Sequence, residues 1–344
     1  MTLAGLPYPF PPMEAQNVDV LPETAGWQYE PKWDGFRCLA YRDGKSVKLQ
    51  SKSGQPLERY FPEVVERLLA VGPTRFVLDG ELVVPVGGAL SFDDLLQRIH
   101  PAQSRILKLS RERAARYIVF DLLAEASRVL VEEPLEVRRK ALEAFMKRRG
   151  ISAAGLALSP ASRKIADARN WLAGSGGALD GVIAKRLGIP YSSGDRRGMV
   201  KAKRRQTVDC VVGGFRYGTN SAVAGSLLLG LYDKDGLLHH VGFTSSLSAA
   251  ERAKLTPKLE KLRRAPGFTG RAPGGPSRWS TERSGEWEPL KPELVVEVSF
   301  DHFSQGRFRH GTRFLRWRPD KAPAQCTMDQ LKRPRAINKS LIDL

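Results

Sequence analysis

The sequence predicts an α+β fold in two domains, the second a small β-barrel of the OB type, and three observations carry that prediction. Residues 1–205 alternate strand-like and helix-like hydrophobic patterns. A basic stretch, "KAKRRQTVD" (201–209), then breaks the composition. Beyond it the chain turns to short strands with Gly-rich turns and one helix, which suits a small closed barrel. The boundary is set near residue 206, giving domains 1–205 and 206–344.

In the first domain, "FRCLAYRDGKSVKLQSKSG" reads as two strands around Asp43-Gly44, a two-residue hairpin signal. "FPEVVERLLAV" is a helix with Pro62 in its first turn. "RFVLDGELVVPVGGALSF" is a strand, a turn and a strand. "SFDDLLQRIH" sets Phe92, Leu95, Leu96 and Ile99 on one helical face, with Ser91 as the cap. "RYIVFDLL" is a continuous apolar run, as in a strand buried on both faces. "PLEVRRKALEAFMKRRG" reads as a basic amphipathic helix stopped by Gly150, and "DGVIAKR" as another strand. In the second domain the strands are "CVVGGFRYG", "GSLLLGLYD", "LLHHVGFTS" and "ELVVEVSFDHFS", with a helix over about 247–264 and a Pro/Gly loop, "APGFTGRAPGGPS".

Lys plus Arg number 55 against 37 Asp plus Glu, a formal charge of +18. An excess of that size, spread along the chain, favours a polyanionic partner. Cys38, Cys210 and Cys326 lie far apart with no C-x-x-C pair, so neither a disulfide framework nor a zinc site is expected. No run approaches the roughly 18 apolar residues of a membrane span. A protein of the reducing cytoplasm, monomeric and off the membrane, is the expectation.

One short stretch raises a chemical question. "YEPKWDGFRC" (29–38) puts Lys32 between Glu30 and Asp34-Gly35, with Arg37 close behind. Asp-Gly alone would make this a hairpin with Lys32 on an exposed strand. The alternative is that Lys32 is a nucleophile and its neighbours position it. Further short strings follow in order: "LQSKSG" with Lys52 and Ser53, "LDGELV" with Asp79, Gly80 and Glu81, and "YIVFDLL" with Phe120. "LDGVIAKR" then carries Asp180 and Lys185, and "GMVKAKRR" carries Lys201 and Lys203.

Together with "RFLRWRPDK" near the C-terminus (Arg318, Asp320, Lys321), this series resembles the ordered motifs of ATP-dependent DNA ligases. These belong to the covalent nucleotidyltransferase superfamily, with RNA ligases and mRNA capping enzymes. The resemblance spans roughly residues 29 to 321. It implies a nucleotidyltransferase (adenylation) domain of mixed and antiparallel sheets and helices, followed by an OB-fold domain. It also implies that Lys32 attacks the α-phosphate of ATP, expels pyrophosphate and becomes a lysyl-adenylate. The AMP then passes to the 5′-phosphate of a nick in double-stranded DNA, and the 3′-hydroxyl displaces it.

By the same resemblance, Glu30 and Lys185 belong to the nucleotide site, and Arg37 and Lys52 touch the ribose or the 5′-phosphate of the nick. Phe120 stacks on adenine, and Lys201 and Lys203 neutralise charge developing on phosphate. Arg318 and Lys321 orient the leaving pyrophosphate, Glu81 serves the ribose or the metal, and Glu81 and Asp180 are the candidate ligands for Mg2+, with Mn2+ an alternative. General chemistry agrees on two counts. A lysine of ordinary pKa, about 10.4, attacks only once neutral, and nearby cations favour that form. Carboxylate oxygens are hard donors of the kind magnesium takes.

Three positions depart from the family pattern. Lys52 stands for an arginine, so a two-pronged phosphate clamp becomes a point charge. Asp180 stands for a glutamate one methylene longer, and Met199 for an aromatic. The short stretch before Lys32 argues for ATP rather than NAD as the AMP donor. "EPKWDGFR" and "QRIHPA" look like the stand-alone bacterial DNA ligase C group, which by analogy suggests DNA repair. Two alternatives remain: an RNA ligase or capping-type nucleotidyltransferase, and a basic nucleic-acid-binding module without catalysis.

Overall fold

The computed structural model describes residues 2–148, 155–174, 179–203, 206–274 and 286–331. The chain divides between residues 204 and 205 into two compact units. The first contains β1 (Trp27–Trp33), β2 (Phe36–Asp43), β3 (Ser46–Ser51), α1 (Pro62–Ala70), β4 (Arg75–Val83), α2 (Phe92–Gln97) and α3 (Gln103–Glu112). After these come β5 (Arg116–Glu125), α4 (Leu135–Met146), β6 (Leu156–Leu158), α5 (Ile165–Ala173), β7 (Leu179–Arg186) and β8 (Met199–Ala202).

These strands form two main sheets. The larger runs Arg128–Val129, β5, β4, β2, β3, with β6 parallel to β5. The smaller runs Gln16–Asn17, β8, β7, β1. A hairpin at Asp34-Gly35 does not form. β1 pairs with β7, whereas β2 pairs with β3 and β4, so this turn carries the chain from one sheet to the other. Gly35 makes the switch possible, because a Cβ there would lie 2.2 Å from the Leu82 carbonyl oxygen. The true hairpin is at Asp43-Gly44, joining β2 to β3 as expected.

Local signals explain the helix starts. Pro62 opens α1 where its missing N–H costs nothing, and the Ser91 hydroxyl accepts from Asp94 N at 3.2 Å to cap α2. Leu68 of α1 and Phe145 of α4 are fully buried in one core with Phe61, Phe76 and Leu78, each contributing about 1.5–3 kcal/mol of apolar burial. The basic character of α4 is partly internal: Arg138 is buried and donates to both oxygens of Asp121 at 3.0 and 3.1 Å. Gly150, the expected stop of that helix, lies outside the described residues. Helices α3 and α5 were not anticipated.

The second unit holds β9 (Gln206–Tyr217), β10 (Ala224–Tyr232), β11 (Leu238–Thr244), α6 (Ala249–Lys261), β12 (Val295–Phe300) and β13 (Arg313–Trp317). Its strand order is β11, β10, β9, β12, β13. The two edges meet: Thr312 N donates to Phe243 O, and the Thr244 hydroxyl donates to Thr312 O, both at 2.9 Å. That contact closes the sheet into a barrel around Val211, Phe215, Leu229, Val241 and Val296. Helix α6 begins with a reciprocal cap between Ser248 and Glu251.

Candidate active site

Three adjacent strands of the smaller sheet present alternate residues to one cavity in the first unit. They are Glu30 and Lys32 on β1, Ile183 and Lys185 on β7, and Met199 and Lys201 on β8. The larger sheet supplies Arg37 and Glu81, which sit opposite each other on β2 and β4, and Phe120 on β5. Lys52 and the segment Pro12–Ala15 complete the wall. The switch at Asp34-Gly35 is what brings Lys32 and Arg37, five positions apart in sequence, to the cavity from different sheets. Gly181 lies opposite Lys32 with φ +140, and a Cβ on it would meet the Ala202 carbonyl at 2.2 Å. Glycine there lets β7 pass close to β8 beside the lysine.

The cavity is electrostatically organised. Lys32 Nζ donates to Asp180 Oδ2, and Lys203 Nζ approaches the same oxygen at 3.2 Å. Lys185 Nζ pairs with Glu30 Oε2 at 2.8 Å, while Gln28 donates to the other Glu30 oxygen at 2.8 Å. Arg37 Nε and Nη2 each donate to Asp79 at 2.6 Å, so its guanidinium is held two-pronged. The ring of Phe120 has Arg37 Cζ 4.6 Å and Lys185 Nζ 4.7 Å from its centroid. Part of Glu81 faces the cavity, yet burial pushes its carboxyl up to about 7 against the lowering pull of Lys32 and Arg37. Burial and the repulsion of Lys32, Lys203 and Lys52 hold Lys201 below the usual lysine range.

Arg318 and Lys321 belong to the second unit, at the end of β13. Both bind one carboxylate: Arg318 Nη1 donates to Asp209 Oδ1 at 2.8 Å and Lys321 Nζ to Asp209 Oδ2 at 2.5 Å. Arg318 is also held by Asp320, which its guanidinium draws down to about 2.

Several residues of this arrangement escaped the sequence reading. Tyr191 donates to Asp79 Oδ2 at 2.6 Å and accepts from Met13 N at 3.0 Å, tying the N-terminal segment to the Arg37 anchor. Gln28 holds Glu30, and Glu14 pairs with Lys52 at 3.1 Å. Only the alternation along β1, with Gln28, Glu30 and Lys32 on one side, could have pointed to any of them.

A lysine gathered with carboxylates, further cations and an aromatic wall, in a two-sheet domain followed by a small barrel, is the layout of a nucleotidyl-transferring ligase. The chain belongs to the ATP-dependent DNA ligase family and is an enzyme of that kind: residues 12–203 match the ATP dependent DNA ligase domain and residues 220–321 the ATP dependent DNA ligase C terminal region. It is similar to DNA ligase C1 of Mycolicibacterium smegmatis, 45% identical over 98% of this chain and 97% of that protein. It is also similar to the multifunctional non-homologous end joining DNA repair protein LigD of Mycobacterium tuberculosis, 30% identical over 88% of this chain and 37% of the relative. A solved Lig E DNA ligase shares the fold, with TM-score 0.54, 16% identity, and coverage of 90% of this chain and 99% of that one. Among the described residues no helix is long and apolar enough to cross a membrane.

Proposed function

We propose that this ligase seals nicks in double-stranded DNA through a Lys32 adenylate, acting as a monomer in the cytoplasm and serving DNA repair. The observation that carries the proposal is the single cavity lined by Lys32, Glu30, Arg37, Lys52, Glu81, Phe120, Lys185 and Lys201, with Asp180 bonded to Lys32 and Lys203 on the same Asp180 oxygen. The repair role is supported by the likeness to a relative named for end joining.

Lys32 Nζ, once neutral, forms a bond to the α-phosphorus of ATP as the bond to pyrophosphate breaks. The 5′-phosphate of the nick then takes the AMP from the lysine, and the 3′-hydroxyl expels AMP to close the strand. Asp180 holds the Lys32 amine, and Lys201 and Lys203 supply fixed positive charge for the phosphate under attack. Phe120 is the proposed aromatic partner of adenine, with Arg37 and Lys185 lying over its ring. Glu81 and Asp180 are the proposed ligands of Mg2+ or Mn2+. Glu81 fits such a role by its position: it lines the cavity beside Lys32, and its carboxyl, raised by burial, would gain from a cation there. The ion would supply charge stabilisation at phosphate oxygens.

Incubation with α-labelled ATP and a denaturing gel tests the covalent step: the label should stay with the protein and then leave on addition of nicked DNA. Absence of any protein-bound label would overturn the mechanism. Arg318 and Lys321 are proposed to act on the leaving pyrophosphate, which departs only in the first step. The double variant Arg318→Ala/Lys321→Ala should therefore lose self-adenylation and still join a nick already carrying a 5′-adenylate. Equal loss on both substrates would remove them from the pyrophosphate.

The charge of +18 predicts a grip made mostly on DNA phosphates. Affinity for a nicked duplex should fall steeply with salt, with a log–log slope of about −0.9 per phosphate neutralised. A nearly flat titration, read by fluorescence anisotropy, contradicts a phosphate-dominated interface.

A further inference from the structure

We infer that Asp209 is a positioning residue for the first chemical step: its carboxylate sets the Arg318 and Lys321 side chains as one paired cation for the pyrophosphate. The inference rests on the pyrophosphate role proposed above for those two cations. It starts from an oddity of chemistry, since a carboxylate is the last group expected beside residues that must receive an anion. Asp209 is nonetheless bonded to both of them and is itself buried.

The surrounding structure makes Asp209 the fixed member of the trio. It lies in β9, opposite Glu297 of β12, in a continuous antiparallel ladder. Its backbone is also pinned by the Gln330 side chain, which accepts from Asp209 N at 3.2 Å and donates to Asp209 O at 3.1 Å. Arg318 and Lys321 instead occupy the turn that leaves β13, closed by Lys321 N donating to Arg318 O at 3.2 Å, with Pro319 at the turn's second position. Long side chains on such a turn have many rotamers to lose. One rigid carboxylate that receives Nη1 on Oδ1 and Nζ on Oδ2 selects a single arrangement.

That arrangement suits phosphate. A carboxylate and a phosphate both present pairs of oxygens on one atom, so cations spaced around one are spaced for the other. Neither cation is used up by Asp209. Arginine carries five N–H donors and lysine three. Arg318 Nη1 also lies 4.0 Å from Glu297 Oε2, yet beyond the bonds to Asp209 and Asp320 both side chains keep donors for a second anion. Asp320 cannot replace Asp209 in this role, because it receives Arg318 alone.

The test uses Asp209→Asn in the full-length enzyme, which keeps the shape and removes the charge that holds both cations. Two rates are measured: self-adenylation from ATP, and joining of a nick already carrying a 5′-adenylate. Self-adenylation should fall by up to about 10²-fold, the scale of misplacing a reacting group's partner, while joining of the adenylated nick stays near wild type. Asp209→Glu should recover part of the first rate. Adding Asp209→Asn to the Arg318→Ala/Lys321→Ala background should cost nothing more.

A rise in self-adenylation would make Asp209 a brake on the two cations and overturn the inference. A parallel fall in both rates would make it a structural strand residue, with the same consequence. If Arg318→Ala/Lys321→Ala separates the two substrates and Asp209→Asn does not, the positioning role fails and the pyrophosphate role stands. If the double variant itself loses both activities equally, the pyrophosphate role has failed first.

Discussion

Lys32→Ala should abolish label transfer from ATP to the protein, a loss on the order of 10³-fold or more, because no step of the forward reaction can begin without a nucleophile. Lysines stand close by, yet none substitutes for it. Lys185 is committed to Glu30 at 2.8 Å and to the face of Phe120, and Lys203 is committed to Asp180 at 3.2 Å. Lys32→Arg should fail as well, since a guanidinium stays protonated at any workable pH and carries no free electron pair to attack phosphorus. Neither change should unfold the protein: Asp180 retains Lys203 at 3.2 Å, so no buried carboxylate is left without a cation. The measurement is a denaturing gel after incubation with α-labelled ATP, with a thermal melt as control for folding. A covalent adenylate on either variant would assign the nucleophile elsewhere.

The order of the motifs was legible in the sequence because each is a short string whose residues act within a few positions of one another. Many strand and helix identities were legible for a related reason, although α3 and α5 were not. The apolar run Tyr117–Leu123, the Ser91 cap and the Asp43-Gly44 turn are local statements, and the structure contains all three. What the sequence withheld is long-range pairing. Asp34-Gly35 has the composition of a hairpin turn, and nothing nearby says that β1 will leave for β7 about 150 positions later. That departure creates the cavity, because it sets Lys32 and Arg37 on facing sheets. Tyr191 was invisible for the same reason: its partners, Asp79 and Met13, lie 112 and 178 positions away. Arg138 was hidden in a different way. A basic helix residue reads as solvated until Asp121, a buried carboxylate on β5, is seen to require it.

Lys201→Ala should behave differently from Lys32→Ala, and the difference separates charge stabilisation from nucleophilic attack. Lys201 lies on β8 opposite Ile183, facing the same cavity as Lys32. It is held below the usual lysine range by burial and by the other cations around it, and among the described residues no carboxylate pairs with it. A cation kept under that strain is suited to charge that appears only during reaction. Negative charge builds on a phosphate in all three steps: at the α-phosphate of ATP, at the lysyl-adenylate and at the adenylated 5′ end. Removing Lys201 should therefore slow self-adenylation and also slow joining of a pre-adenylated nick, each by about 10²–10³-fold, the usual cost of deleting one such group. Lys32→Ala should leave joining of the pre-adenylated nick near wild type, because the adenylate it would have made is already present. The comparison needs one gel assay on two substrates, plain nick with ATP and pre-adenylated nick without it. If Lys201→Ala joins the pre-adenylated nick at the wild-type rate, its charge serves ATP binding alone and the shared role across the three steps is wrong.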